Sequence, residues 1–201
     1  HQSLGVDVAS GTLQLVQTPN TGWWQTGRGS FLATSVAQDF VADTELRVHA
    51  VGNPQAAPSG SFRLAGLMAR SRSGVEDWVF VSLGANLGAA LGSQTLNTDN
   101  GQAGARIQTD NGIVAGRLRL CRVDSRFRAF HSVDAGLTWT EAPIGGDAVR
   151  ADLDGDIDVG IAVNAWGAGP AVEARIDRLE IRAIDDPAQC VATFGAQSPA
   201  P

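Results

Sequence analysis

The sequence contains no lysine and no tyrosine, so its fifteen basic residues are all arginine. The absence of lysine excludes Schiff-base chemistry and a P-loop phosphate site. The absence of tyrosine excludes every mechanism that uses a tyrosine acid or base. Long hydrophobic runs are missing too, because apolar stretches such as 79–81 are far shorter than the roughly 20 residues of a membrane helix. We therefore expect no transmembrane segment.

The balance of charge argues against two classes of partner. Fifteen basic residues against 21 acidic residues give a net charge of −6, and no long basic block stands out. Phosphate backbones and anionic membrane surfaces both attract basic surfaces. We therefore expect neither a nucleic-acid partner nor a membrane partner.

Length and composition indicate one domain with many turns. The chain has 201 residues, 43% of them hydrophobic, which is enough apolar material for one core. Its 24 glycines and eight prolines are typical of a chain that turns often between short strands. We assign the domain to residues 1–187 and a tail or linker to 188–201. The chain is expected to be a monomeric module of a larger, secreted bacterial protein.

Apolar and polar residues alternate with period two along most of the chain, and helical periodicity never persists over three turns. Clusters of Gly, Asn, Asp, Ser and Pro separate the alternating segments. The pattern predicts an all-β fold, in which two antiparallel sheets pack face to face as a jelly-roll-like sandwich. The predicted strands are 12–17, 30–35, 40–50, 62–70, 78–84, 106–109, 113–123, 126–132, 156–165 and 172–183.

Several strand cores occur in an order that resembles a known superfamily. They are residues 65–70, 77–84, 116–122, 127–139, 159–163 and 174–181. Over 12–183 the chain resembles the concanavalin A-like lectin/glucanase superfamily, specifically its laminin-G-like and uncharacterised sandwich domains that accompany secreted glycoside hydrolases. The resemblance implies a sandwich that faces carbohydrate.

Alternation also separates the two faces of the central strands, because successive side chains point in opposite directions. In each of these strands one set of residues is aliphatic, and the other set carries Trp, Arg, Asn, Ser and Gly. Aromatic rings stack on sugar rings, whereas arginine and asparagine bond hydroxyls or carboxylates. The pattern predicts a concave face that binds a polysaccharide or oligosaccharide through Trp78, Trp166, Arg70, Arg119, Asn164 and Trp24.

A different interpretation of the same face remains open. A loop could cover it, with Trp78 and Trp166 as packing residues beneath arginine side chains. Trp23 and Trp24, on the glycine-flanked loop 21–29, form either a platform at the rim of the groove or a buried plug. On this interpretation the chain is a structural or adhesive domain.

Residues 132–139 fit the pattern S-x-D-x-G-x-x-W of the Asp-box hairpin. Asp134 and Ser132 can bond turn amides, Gly136 can adopt a positive φ, and Trp139 can close the hairpin. A β-propeller needs several copies and the sequence has one. The motif therefore predicts a local folding device.

Two acidic segments offer candidate metal ligands. Asp177 lies in a strand pattern similar to the segment that supplies a structural calcium ligand in many jelly-roll carbohydrate-binding modules. Ion pairing with a flanking arginine is the alternative for Asp177. The acidic stretch 152–158 either gathers oxygens around calcium or forms a solvated turn. A structural calcium ion is the one cofactor that we expect.

Catalysis has weaker support than binding. The related glucanases carry an E-x-D-x-x-E run on one strand, and its absence argues against a retaining glucanase. A polysaccharide-active hydrolase or lyase on the same fold is the alternative, with His131 or Asp158 acting in the groove. The two cysteines, Cys121 and Cys190, allow either one disulfide or two free buried thiols.

Overall fold

The computed structural model describes residues 3–7, 11–25, 27, 29–73, 76–146 and 148–192. Short 3-10 helices lie at Leu87–Ala89, Ala151–Leu153 and Pro187–Cys190. No helix in these ranges is long and apolar enough to cross a membrane. The strands are β1 (Ser3–Asp7), β2 (Thr12–Gln17), β3 (Ser30–Val36), β4 (Phe40–Ala50), β5 (Arg63–Ser71), β6 (Trp78–Ala85), β7 (Leu91–Asp99), β8 (Gln102–Thr109), β9 (Ala115–Val123), β10 (Arg126–Ser132), β11 (Thr140–Ala142), β12 (Ile157–Ala165) and β13 (Val172–Ala183).

The strands form two sheets that pack face to face. The seven-stranded sheet has the order β1-β2-β13-β4-β9-β10-β11, and the six-stranded sheet has the order β3-β12-β5-β6-β7-β8. Every strand pairing is antiparallel. The predicted all-β, jelly-roll-like sandwich is therefore confirmed, although the alternation pattern missed β1, β7 and β11.

The main core lies between the sheets and contains the aliphatic residues that alternation predicts for the inner faces. Each of these side chains is almost completely removed from water, which stabilises the fold by about 1.5–3 kcal/mol per large side chain. The predicted inner-face residues found there are Leu67, Ala69, Val79, Val81, Leu83, Leu118, Leu120, Ile157, Val159, Ile161 and Val163.

A second apolar cluster lies on the outer face of the six-stranded sheet. It is formed by Trp23, Met68, Trp78, Phe80, Leu96 and Ala162. Trp23 comes from the loop 18–29 and meets Trp78 edge to face, with the ring centroids 6.5 Å apart. The loop therefore covers part of this sheet face.

A disulfide between Cys121 and Cys190 closes the outer face of the seven-stranded sheet. It joins β9 to the 3-10 helix Pro187–Cys190, and both cysteines belong to a third apolar cluster. The sequence allowed a disulfide or two free thiols, and the structure contains the disulfide. Residues 188–190, expected in the tail, thus form part of the folded domain, whereas 193–201 lie outside the described residues.

Candidate functional site

An open groove of about 270 Å³ lies on the outer face of the six-stranded sheet. Gln94 and Leu96 of β7 are its most buried lining residues and form the floor. The complete lining consists of Trp23, Trp24, Phe62, Leu87, Gln94, Leu96, Arg106, Asn164 and Trp166. The groove is therefore mainly aromatic and apolar, with a small number of polar groups, as is typical of ligand sites.

The loop 18–29 forms one wall of the groove. Glycines allow it to lie close to the sheet, because a Cβ atom at Gly22 would overlap Asn164 Oδ1 and one at Gly29 would overlap the Trp23 indole nitrogen. The Trp23 amide donates to Asn164 Oδ1 at 2.7 Å, and Thr98 Oγ1 donates to the Trp24 carbonyl at 2.8 Å. These contacts fix Trp24 at the edge of the groove.

A buried arginine holds the opposite wall. The Arg63 guanidinium donates to the carbonyl oxygens of Ser61 at 2.7 Å, Trp166 at 2.7 Å, Gly167 at 3.3 Å and Pro170 at 2.6 Å. Burial lowers the pKa of Arg63 from its ordinary value, because a low-dielectric interior disfavours the charge. Arg63 thereby fixes the two backbone segments next to which Phe62 and Trp166 present their rings.

Asn164 connects the two walls. Its Oδ1 accepts from the Trp23 amide, and its Nδ2 donates to the Phe62 carbonyl at 3.3 Å. The side chain is only 4% exposed. Although Asn164 lines the groove, its amide group is engaged in positioning the walls, and it acts on a ligand through them.

Three other polar groups of the groove, the Trp23 indole nitrogen, Gln94 Oε1 and the Arg106 guanidinium, are not engaged in this way. Gln94 Oε1 is buried and has no hydrogen-bond partner among the described residues. The Arg106 guanidinium stacks over the Phe62 ring at 5.0 Å and forms no ion pair or hydrogen bond with a described residue. No Asp, Glu or His occurs among the described residues that line the groove. Among the described residues, the groove is thus lined by one free acceptor, one free indole donor, one unpaired cation and four aromatic side chains.

The structure brings together Trp24, Asn164 and Trp166 of the predicted binding residues. Trp166 is 43% exposed, so a ligand can reach its ring. Trp78 lies on the same sheet face but is 0% exposed, because Trp23 covers it. Trp78 is therefore a packing residue beneath a loop, as the alternative interpretation expects. The groove lies beside this covered part of the sheet face.

The two predicted arginines lie elsewhere. Arg70 pairs with Glu76 at 2.8 Å and does not line the groove. Arg119 lies on the outer face of the seven-stranded sheet, where it pairs with the buried Asp43 at 2.8 Å. Because the two outer faces point in opposite directions, Arg119 and Trp166 do not contribute to one groove. Strand alternation distinguishes inner from outer faces but does not say which sheet a strand joins.

The predicted metal ligand is engaged in an ion pair. Asp177 is exposed, and its Oδ1 lies 3.0 Å from Arg175 Nε, as the alternative interpretation expects. Calcium at Asp177 stays a prediction. The carboxylates of Asp77, Asp99 and Asp152 lie close enough to one another to share an ion. However, the Arg150 guanidinium pairs with Asp152 and lies 3.8 Å from Asp77, so a cation is already present in this group.

The residues considered for catalysis do not lie at the groove. His131 belongs to β10 of the seven-stranded sheet, where burial lowers the pKa of its imidazole. Asp158 belongs to β12, but its carboxylate lies 3.5 Å from the Arg72 guanidinium and does not line the groove.

Most residues of the groove are not among those that the sequence pattern predicts. Gln94 and Leu96 lie on β7, which alternation did not predict, and Leu87 lies in a 3-10 helix. Arg106 lies within a predicted strand, so alternation along that strand could have placed it on an outer face. Phe62 adopts a positive φ of 57°, a conformation that the sequence pattern gives no reason to expect.

No family model matches the sequence, and no curated protein matches it significantly. Solved structures do match. The carbohydrate-binding module CBM66 from Bacillus subtilis has a TM-score of 0.53 and 14% identity, covering 91% of this chain and 92% of that chain. The GH43 protein BlXynB from Bacillus licheniformis has a TM-score of 0.70 and 16% identity, covering 90% of this chain and 35% of that chain, so this chain spans about a third of that protein.

A β-glucanase from Bacillus licheniformis also matches, with a TM-score of 0.56 and 7% identity over 88% of this chain and 80% of that chain. The matches show a sandwich of the same type as these structures. At these identities the likeness establishes the fold alone, and sandwiches of this kind support both binding and catalysis. The groove is therefore the feature of this sandwich that bears on its function.

Proposed function

We propose that this chain is a non-catalytic carbohydrate-binding module, which holds a polysaccharide or oligosaccharide in the groove on its six-stranded sheet. The observation that carries the proposal is the open, mainly aromatic lining around Trp24, Phe62 and Trp166. Aromatic faces pack against the apolar face of a sugar ring, and polar groups between them bond its hydroxyls. The matching structures of a carbohydrate-binding module and of carbohydrate-active proteins support the same substrate class.

The construction of the groove supports recognition by a preformed surface. Arg63 and Asn164 fix the two walls through hydrogen bonds to backbone atoms. A ligand therefore does not have to order these loops, which lowers the entropy cost of binding. The volume of about 270 Å³ is near the lower end for ligand pockets and suits a short segment of a sugar chain.

Binding without catalysis is favoured by the chemistry of the lining. Glycoside hydrolysis uses a pair of carboxylic side chains on either side of the scissile bond. The described lining residues include neither a carboxylate nor an imidazole. A hydrolase or lyase acting here would need its acid or base from outside this set, and we propose no such residue.

We propose further that this module belongs to a larger, secreted protein. The Cys121–Cys190 disulfide supports this part of the proposal, because such bonds persist in oxidising compartments. A module that binds sugar chains outside the cell would be joined to another domain, and we propose no membrane or nucleic-acid partner for the module itself.

Binding to an array of oligosaccharides and polysaccharides tests the proposal, followed by titration of the bound sugar with intrinsic tryptophan fluorescence as the readout. We expect one sugar class to bind and to shift the fluorescence. Trp166→Ala should weaken that binding about tenfold or more, because a stacked aromatic anchor is lost. It should leave the unfolding midpoint nearly unchanged, because the Trp166 ring is 43% exposed.

The matched control is Leu137→Ala, which also truncates an exposed apolar side chain, 80% exposed and on the Asp-box hairpin of the other sheet. It should bind like the wild type. If no sugar on the array binds, the chain is not a carbohydrate-binding module. If the sugar is shortened on long incubation with the wild type, the non-catalytic part of the proposal is wrong.

A further inference from the structure

We infer that the ligand of the groove is an acidic sugar, whose carboxylate binds Arg106 while one of its hydroxyls donates to Gln94 Oε1. The inference rests on the proposed function and specifies its substrate class. Its starting point is that one cation and one buried acceptor, both without a described partner, line the same groove.

The lack of a partner distinguishes Arg106 from most arginines of the chain. The described ion pairs engage ten others: Arg70, Arg72, Arg117, Arg119, Arg122, Arg128, Arg150, Arg175, Arg178 and Arg182. Arg63 donates instead to backbone carbonyls. Arg106 faces a groove with no acidic residue in its described lining. The site therefore has an uncompensated positive charge that an anionic ligand would neutralise.

A cation–π contact holds this charge beside the groove. The Arg106 guanidinium carbon lies 5.0 Å from the centroid of the Phe62 ring. A guanidinium held over an aromatic ring keeps its planar fork of donors available at its edge, which matches the two oxygens of a carboxylate. The same Phe62 ring lines the groove, so a sugar bound there lies beside the fork.

Gln94 supplies the second polar contact. Its Oε1 is buried without a partner, and such an acceptor is costly unless a ligand or water donates to it. Leu96 pairs with Arg106, and Gln94 is two residues from Leu96 on the same face of β7. Diagonal neighbours of this kind are about 7–8 Å apart, which is within the reach of one sugar residue. A single acidic sugar can thus satisfy both groups.

The chain carries a net charge of −6, so the positive charge of Arg106 is a local feature of the groove. An anionic polymer is repelled by most of the surface and attracted by the cation in the groove. Binding that depends on one exposed ion pair should weaken as salt rises, because ions screen it. This salt dependence separates the charge contribution from stacking on Trp166.

The test compares Arg106→Gln with the wild type by calorimetric titration of hexamers of galacturonate, mannuronate and glucuronate, each also in its fully methyl-esterified form. We expect at least one free acid to bind the wild type, with a loss of about 10- to 100-fold both on esterification and in Arg106→Gln. Gln94→Leu should cost about tenfold and leave the salt dependence intact. The control Arg126→Gln removes an exposed arginine of β10 that no described ion pair engages, and it should bind like the wild type.

The outcomes separate this inference from the proposed function. If acid and ester bind equally, or if neutral oligosaccharides bind and Arg106→Gln has no effect, the inference is wrong and the binding function stands. If Arg106→Gln and Arg126→Gln weaken binding alike, general surface charge explains the effect and the inference is again wrong. If neither acidic nor neutral sugars bind, the inference and the proposed function fail together.

Discussion

The outer faces of the two sheets are built from similar residues but differ in whether the arginines beside their aromatic rings are paired within the protein. On the seven-stranded sheet, Asp43 is fully buried between Arg117 and Arg119. The Trp139 ring lies 4.0 Å from the Arg119 guanidinium. Arg119 also donates to the carbonyls of Cys190 and Ala192 at 3.1 and 3.0 Å, next to the disulfide. Around Trp139 this face is closed.

On the six-stranded sheet, Trp23 covers Trp78, and the open groove lies beside this covered part. Asn164 and Arg63 satisfy backbone groups of the surrounding loops, whereas Gln94 Oε1 and Arg106 have no described partner. Buried polar groups without partners are uncommon in folded proteins and call for an explanation. The comparison teaches that tryptophan and arginine on an outer face identify a binding surface only where the charges are left unpaired.

The largest expected effect comes from removing the buried carboxylate of Asp43 on the seven-stranded sheet. Asp43→Ala leaves Arg119 charged and 1% exposed without its carboxylate, which should lower the free energy of unfolding by about 3–5 kcal/mol. Burial already lowers the pKa of Arg119, and Asp43 opposes that shift by a hydrogen bond and by its charge. Urea denaturation at pH 7 measures the change. The folded fraction should still bind sugar, because the groove is on the other sheet.

The matched control for Asp43→Ala is Asp177→Ala, which also removes an aspartate from an arginine pair, but an exposed one. Exposed pairs contribute about 0–1 kcal/mol. Equal losses in the two variants would show that burial of the Asp43 pair has no energetic consequence, and the proposed contrast between the faces would be lost.

A smaller effect is expected from a substitution that removes the hydrogen bonds between the two walls of the groove. Asn164→Ala removes the acceptor of the Trp23 amide and the donor to the Phe62 carbonyl, which should cost about 1–3 kcal/mol of unfolding free energy. Amide exchange at Trp23 should become faster, and sugar binding should weaken because both walls are less well fixed. Asn53→Ala, in an exposed turn where Oδ1 accepts from Gln55, is the control. Unchanged exchange at Trp23 would rule out a positioning role for Asn164.

Much of the fold follows from period-two alternation, since the aliphatic sets around Val79, Val81, Ile157 and Ile161 all lie in the core. Strand β7 was missed because its inward positions are polar. Thr95 Oγ1 donates to the Pro143 carbonyl at 2.6 Å, and the Asn97 amide donates to the Gly145 carbonyl. Hydrogen bonds to a distant segment thus replace the apolar contacts that a sequence pattern can detect.

The groove was less accessible to prediction than the core. Trp24, Asn164 and Trp166 were found because aromatic and amide side chains are recognisable by type. Arg119 was misplaced because its partner, Asp43, is distant in sequence, and pairing between them depends on β4 lying beside β9. Which arginine remains unpaired is a property of the assembled sheets, so Arg106 could be singled out only from the structure.

The smallest effect concerns the Asp-box hairpin at the edge of the closed face. Asp134 accepts from Thr138 Oγ1 at 2.6 Å, from the Thr138 amide at 2.9 Å and from Ser132 Oγ at 2.7 Å. These hydrogen bonds, those of Thr138 most strongly, lower the pKa of Asp134 from 3.8 to about 2. A carboxyl whose pKa is lower in the folded state stabilises the protein above the unfolded pKa, and that contribution is lost as the pH falls.

Asp134→Asn should therefore be less stable than the wild type at pH 5, and the difference should shrink between about pH 4 and pH 2 as Asp134 becomes protonated. Urea midpoints across this range measure it. Asp185→Asn, at an exposed site whose carboxylate has no described hydrogen bond, is the control and should be as stable as the wild type at pH 5. Parallel curves for Asp134→Asn and the wild type would mean that the hairpin hydrogen bonds do not favour the ionised carboxylate.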